Sequence, residues 1–361
     1  MGKLFIPLDR IGLQTAQKST SAAYMTVNKL LLKGLEVKWH LNGVKFESTP
    51  MWPEGHHYQC GFSADDSARG ALEENNLFFE ALPELPEESY TLKPPKIAFY
   101  SGRGSDEYFS RPLCNVLELG GFPYSEIGDA EIRAGKLSGF DVLLVPGGPD
   151  AGECYYAGLG DKGYDEIRSF IANRGHYMGI CGGAYLPLTA HNSKNPYWLG
   201  IVAATEYDDL DYWRSGSGFL RCRIDHDEHP LFASLALGAS SSLNVVYWEG
   251  PAITITGKDV KPLAHFERLL ATGSTALRPG WDMRDNVMAA AAINNWNNSL
   301  VPEVFDKLLK NRCAIAEADY HDHKILMFSP HPEMGNFGSS PWAESPNFLL
   351  IYNGLFYLSA Q

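Results

Sequence analysis

Three short segments carry residue types that could build and activate a nucleophile. The first is Gly179-Ile180-Cys181-Gly182-Gly183-Ala184-Tyr185. An apolar run leads into it, and glycines stand two positions before and two after Cys181. A nucleophile on a sharp strand-to-helix turn needs small neighbours, because the backbone there is strained and closely packed. Such a turn would also place the sulfur at a helix N-terminus, where unpaired N–H groups favour thiolate. Taken alone, the segment reads equally well as a buried thiol beside a glycine turn.

The second segment is Ile325-Leu326-Met327-Phe328-Ser329-Pro330-His331-Pro332-Glu333. An apolar strand runs into a His-Pro-Glu sequence, and residues i and i+2 of an extended chain point the same way. Glu333 could then accept from one imidazole nitrogen of His331 and leave the other for a thiol proton. The third is Val145-Pro146-Gly147-Gly148-Pro149-Asp150. Glycines just past a strand let backbone N–H groups approach a ligand. An anionic tetrahedral intermediate needs two such donors, each typically worth about 2.7–4 kcal/mol. Gly148 and Gly182 are the candidates. Each segment also has a bland reading, as a glycine turn or a surface turn with an incidental histidine.

The elements needed to hold these residues can be read around them. Residues 96–100, 141–145 and 176–180 are short apolar runs, and residues 108–119 and 164–173 have helical spacing between them. Strands alternating with helices imply an α/β fold with a parallel, doubly wound sheet. Ligands bind such sheets beyond the carboxyl ends of the strands, where both glycine-rich segments fall. Gly102-Arg103-Gly104-Ser105 lacks the third glycine of a dinucleotide turn and reads as a plain connection. Upstream, residues 21–32 fit an amphipathic helix stopped by Gly34. Residues 35–39 alternate like a strand, and Asn42-Gly43 predicts a hairpin with residues 44–47. Residues 50–80 look irregular. Four prolines among residues 83–95 suggest a linker, dividing a small α+β segment, 1–95, from a larger domain, 96–361.

A formal charge of −13 without a basic cluster argues against nucleic acid or an anionic membrane as partner. The most apolar stretch, residues 348–358, is too short to span a bilayer. Residues 1–10 lack the apolar core of a signal peptide. The six cysteines, 60, 114, 154, 181, 222 and 313, are scattered and form no CxxC. Reduced thiols and a cytoplasmic setting are expected. No cofactor or metal is expected. His226-Asp227-Glu228-His229, His321-Asp322-His323 and His56-His57 lie in polar stretches without ligand spacing. Tyr155, Tyr156, Tyr185, Tyr207 and Trp213 could line a pocket or fill the core.

Taken together and in this order, the three segments resemble the class I glutamine amidotransferase superfamily over residues 96 to about 358. The resemblance implies a Rossmann-like sheet and a Cys181–His331–Glu333 triad. It further implies a thioester route of amide hydrolysis and an oxyanion hole at Gly148 and Gly182. Gly147 and Tyr185 would face the substrate. Within the superfamily, Gly148 to Tyr155, the Cys181 segment and Tyr247-Trp248-Glu249-Gly250-Pro251 look like the N-terminal domain of fungal-type biotin-protein ligases and their free-standing bacterial relatives. Biotin transfer itself is not expected, because no ligase catalytic segment lies within residues 96–361. Glutaminases of the superfamily carry Gln four residues after the nucleophile; here Tyr185 occupies that position, which puts glutamine as substrate in doubt. The expected activity is thioester-based cleavage of a C–N amide bond in a small-molecule or peptide substrate. Any ammonia-accepting or ligase partner is unidentified. The alternatives are a non-catalytic binding or regulatory domain of the biotin-protein ligase N-terminal type, and a cysteine peptidase of the same superfamily.

Overall fold

The computed structural model describes residues 3–8, 17–41, 44–46, 56–58, 60–82, 88–148, 151–189, 197–206, 216–235, 241–272, 300–334 and 344–360. Asn42-Gly43, Pro149-Asp150, Tyr207 and Trp213 lie outside them.

The first part of the chain builds an antiparallel sheet from β1 (Lys3–Pro7), β2 (Val37–His40), β5 (Gly61–Asp65), β6 (Glu80–Leu82) and β7 (Tyr90–Thr91), in the order β6-β1-β5-β2-β7. Helix α1 (Thr20–Leu32) starts where Ser19 accepts from the Ala22 N–H, and Gly34 follows it at φ +77°. The expected hairpin between β2 and residues 44–47 does not form. Both edges of β2 are taken, by β5 and β7, while β3 (Val44–Phe46) pairs with β4 (His56–Tyr58). Burial of Val37 and Trp39 beside Phe62 outweighs a local turn preference. The stretch expected to be irregular holds β4, β5, β6 and the short helix α2 (Arg69–Glu74).

The larger sheet has nine strands: β8 (Ile97–Tyr100), β9 (Tyr124–Ile127), β10 (Val142–Val145), β11 (His176–Ile180), β13 (Ser217–Ile224), β14 (Ser242–Trp248), β16 (Val260–Thr272), β17 (Cys313–Tyr320) and β18 (His323–Phe328). Their order is β14-β13-β16-β17-β18-β11-β10-β8-β9, beside a separate pair of β12 (Ala204–Thr205) and β15 (Thr254–Ile255). The molecule is thus a mixed α/β structure. Strands β18, β11, β10, β8 and β9 run parallel, as the apolar runs predict, and an antiparallel extension adjoins them at β17. Every residue of β8, β10 and β11 is buried, as parallel strands covered on both faces must be.

Helix α3 (Glu107–Leu119), capped by Asp106, follows β8, and the short α4 (Asp129–Arg133) follows β9. Helix α5 (Ala151–Asn173) follows β10 and breaks at Gly160, whose φ of 58° and ψ of −174° are not helical. Its glycine-rich first half hides the helical period, so the sequence shows only residues 164–173. On one face of β11, Met178 lies against Gly354 of the last helix, Phe348–Ser359. The preceding residue, Tyr177, points to the other face, beside Tyr155 and Tyr164 of α5. The two sheets share one core: Phe356 of the last helix packs against Tyr24, Trp39 and Phe62. Asn353 accepts from the Tyr24 hydroxyl and donates to the carbonyls of Leu231 and Ala233. Among the described residues, no helix is long and apolar enough to cross a membrane.

Candidate active site

Cys181 stands between β11 and a four-residue helix, α6 (Gly182–Tyr185), with φ +52° and ψ −109°. Such a conformation costs a non-glycine residue about 1–3 kcal/mol and persists only where the surroundings enforce it. Here they do. A Cβ on Gly179 would lie 2.1 Å from Gly183 O, and one on Gly183 would lie 2.2 Å from Val145 O. The Tyr177 hydroxyl donates to Gly183 O at 2.6 Å, and Cys181 N donates to Phe328 O at 2.7 Å. Because α6 is a single turn, it offers oriented N–H groups but little macrodipole. The sequence expectation of a supporting helix end is correspondingly reduced.

The end of β18 delivers His331 beside this turn. The His331 N–H donates to Val246 O at 2.8 Å, and Phe109 of α3 stacks on the imidazole at 5.1 Å between centroids. His331 and Glu333 are both buried, and Nδ1 meets Glu333 Oε1 at 2.6 Å. The pairing does not arise from an extended chain, as the i, i+2 argument assumed. Residues Pro332–Met334 form a 3-10 turn, which brings the carboxylate back to the ring. Proline's fixed φ suits the first position of such a turn.

Burial alone would push the imidazole toward its neutral form. The adjoining Cys181 and Glu333 more than reverse this, by charge and by hydrogen bonding, and raise the His331 pKa above its ordinary value. Cys181 Sγ also donates to Trp248 O at 3.2 Å. Among the described residues, Ser329 Oγ and Glu333 Oε2, on the same stretch as His331, are buried without a hydrogen-bond partner. Cys181 is 5 % exposed.

The other candidates fall around this centre. A Cβ on Gly147 would lie 3.3 Å from Cys181 Cβ, so the glycine loop after β10 packs beside the Cys181 side chain. Gly148 backs onto Gly104 O, at 2.0 Å from where its Cβ would be. Thus the Gly102–Ser105 connection, read as a plain turn, walls the glycine loop. Gly182 is buried directly after the nucleophile. Tyr185 is 3 % exposed; its ring stacks on Trp198 and its hydroxyl donates to Glu249 O at 3.2 Å. Tyr155 is core, with its hydroxyl on Pro146 O at 2.9 Å. Sequence reasoning missed Phe109, for which no signal existed, and the Trp248 carbonyl, although its segment stood out.

The histidine-rich stretches do not converge. His226 pairs with Glu228 at the surface, and His229 with Glu317. His323 packs beside His176. Among the described residues, no three His, Cys, Asp or Glu side chains are grouped to hold a metal.

With this geometry in view, the chain can be set beside known proteins. Residues 138–192 match the family described as biotin-protein ligase, N terminal. The match spans the glycine loop, α5, β11 and the Cys181 turn. An uncharacterized protein of Chlamydia muridarum is 23% identical over 159 residues, covering 37% of this chain and 58% of that relative. The chain therefore matches less than two thirds of that relative's length. Among solved structures, PurLQS from Thermotoga maritima is similar at 14% identity with a TM-score of 0.47, over 73% of this chain and 99% of that one. A glutamine amidotransferase from Thermotoga maritima is similar at 10% identity with a TM-score of 0.38, over 67% and 77%.

Proposed function

We propose that the protein cleaves a C–N amide bond of a small substrate through a thioester on Cys181. The observation that carries this reading is a cysteine held at positive φ on a strand-to-helix turn, beside a buried imidazole–carboxylate pair. In the proposed cycle, His331 Nε2 takes the thiol proton and the sulfur attacks the amide carbon. The N–H groups of Gly148 and Gly182 meet the resulting oxyanion. The imidazolium returns the proton to the departing nitrogen as the C–N bond breaks. Water, deprotonated by His331, then attacks the thioester, releasing the acid and restoring the thiol. Glu333 orients the ring throughout. Burial of Cys181 favours a compact amide over a polypeptide laid through a cleft.

The test uses ammonia release from glutamine and a panel of small primary amides. Cys181→Ala and His331→Gln should each lower turnover by about three orders of magnitude or more, as loss of a member of a concerted set does. Turnover unchanged in Cys181→Ala would remove the sulfur from the mechanism. Reactivity provides an independent check. Iodoacetamide should modify Cys181 ahead of Cys222 and Cys313, whose thiols burial pushes well above their ordinary range.

A second reading, a binding or regulatory domain that keeps the scaffold without turnover, is favoured by one observation. The thiol donates to a main-chain carbonyl, Trp248 O, at 3.2 Å. On that reading Cys181 would be no more reactive than the other buried cysteines.

A further inference from the structure

The last residues of β14 and the segment after them lie across the sulfur and are held at several points: Tyr247 and Trp248 pair with Gly218 and Ser217 of β13, and the Glu249 N–H donates to Gly216 O at 3.3 Å. Trp248 O accepts from Cys181 Sγ, and Glu249 O accepts from the Tyr185 hydroxyl. The Trp248 ring meets Phe109 edge-on at 5.1 Å, and Phe109 in turn stacks on His331. Gly250 rests against Ser329 O, and its carbonyl accepts from the Tyr247 hydroxyl at 2.9 Å. Residues 247–251 are therefore a strap over the thiol.

This strap differs from ordinary core in two respects. Glu249 adopts φ +52°, a conformation that favours glycine, although it carries a side chain. Against Gly250, Ser329 Oγ is buried with no hydrogen-bond partner among the described residues. Backbone strain at Glu249 and an unpaired hydroxyl beside Gly250 both raise the free energy of this arrangement. Beyond the strand pairing, Tyr185 is placed to hold Glu249, since its ring is fixed on Trp198 at 5.4 Å and its hydroxyl reaches the strained residue itself.

We infer that Tyr185 is the latch of this strap and so a positioning residue that sets access to Cys181. It acts by holding the Glu249 carbonyl, not by touching substrate. The inference rests on the reading of Cys181 as nucleophile only for its catalytic consequence; the latch itself is a statement about the strap. When the latch releases, Trp248 O leaves the sulfur.

The test is Tyr185→Phe in the full-length protein, which keeps the ring on Trp198 and deletes only the donor. Tyr155→Phe, an equivalent change on the Pro146 carbonyl, serves as the control. Amide exchange in a peptide covering residues 246–252 should accelerate about three- to tenfold in Tyr185→Phe, the effect of losing one net hydrogen bond, and should not change in Tyr155→Phe. Alkylation of Cys181 should rise by a similar factor, more for a bulky maleimide than for iodoacetamide, with Cys114 and Cys154 unaffected. Unchanged strap exchange in Tyr185→Phe overturns the latch. Faster exchange with an inert Cys181 would uphold the latch and count against the nucleophile.

Discussion

Gly179→Ala provides the most direct measure of how rigidly the nucleophile turn is held. The added Cβ would lie 2.1 Å from Gly183 O, 2.4 Å from its carbonyl carbon and 2.7 Å from Tyr177 Cε1. Gly183 has nowhere to retreat, because it already backs onto the Val145 carbonyl. Restoring an ordinary contact needs main-chain movement of about 1 Å, an overpacking strain of about 1–3 kcal/mol. The same movement pulls Gly183 O away from the Tyr177 hydroxyl, now 2.6 Å distant, and leaves a fully buried phenol unpaired. That adds about 1–3 kcal/mol. The combined loss, roughly 2–6 kcal/mol, is a large part of an ordinary domain's stability. Urea unfolding followed by tryptophan fluorescence should show a midpoint lowered by about 1 M. Gly70→Ala is the control. It lies in the exposed first turn of α2 with nothing within 4 Å, so helix propensity should leave stability unchanged or raise it by up to about 1 kcal/mol. If Gly179→Ala unfolded within about 0.5 kcal/mol of the parent, the turn would be looser than its contacts imply, and Cys181 would not be strained by its surroundings.

Gly250→Ala would drive a Cβ to 2.0 Å from Ser329 O, so it should lift the strap and raise Cys181 alkylation; unchanged alkylation would contradict the packing. Burial, with His323 beside it, lowers His176 to about 4. Because the folded state resists its protonation, stability should fall as pH drops from about 6.5 toward 4, by about 1–2 kcal/mol once residual solvation is allowed for. His176→Asn should flatten that slope in urea midpoints measured between pH 7 and 4.5, and an unaltered slope would refute the assignment. Although burial works in the opposite direction, His229, Lys324 and Tyr357 lower Glu317 to about 2. Its contribution should be present above about pH 4.5 and lost as pH falls toward 2, so Glu317→Gln should be less stable at neutral pH yet lose less on acidification.

Sequence and structure agree best where chemistry and local geometry coincide. The Cys181 turn is legible because Gly179 and Gly183 each answer a close backbone approach, and continuous apolar runs mark β8, β10, β11 and β18. The antiparallel strands β13, β14, β16 and β17 were not legible, since their pairing is between distant segments and depends on what covers each face. The same long-range competition removed the hairpin expected at residues 42–43. Tyr185 could be noticed as an unusual residue, but its partner, a main-chain carbonyl 64 positions away, leaves no mark on the sequence.

The aromatic joint between the two sheets bears on how the protein can be produced and shortened. A truncation starting near residue 96 would strip Tyr24, Trp39 and Phe62 from Phe356 and leave Asn353 without its phenol. The bared helix is also the one that supports Met178, three residues ahead of the sulfur. Such a fragment would be prone to aggregate, and any soluble remainder would hold its thiol less firmly. The N-terminal sheet thus acts as a keel for the turn that carries Cys181.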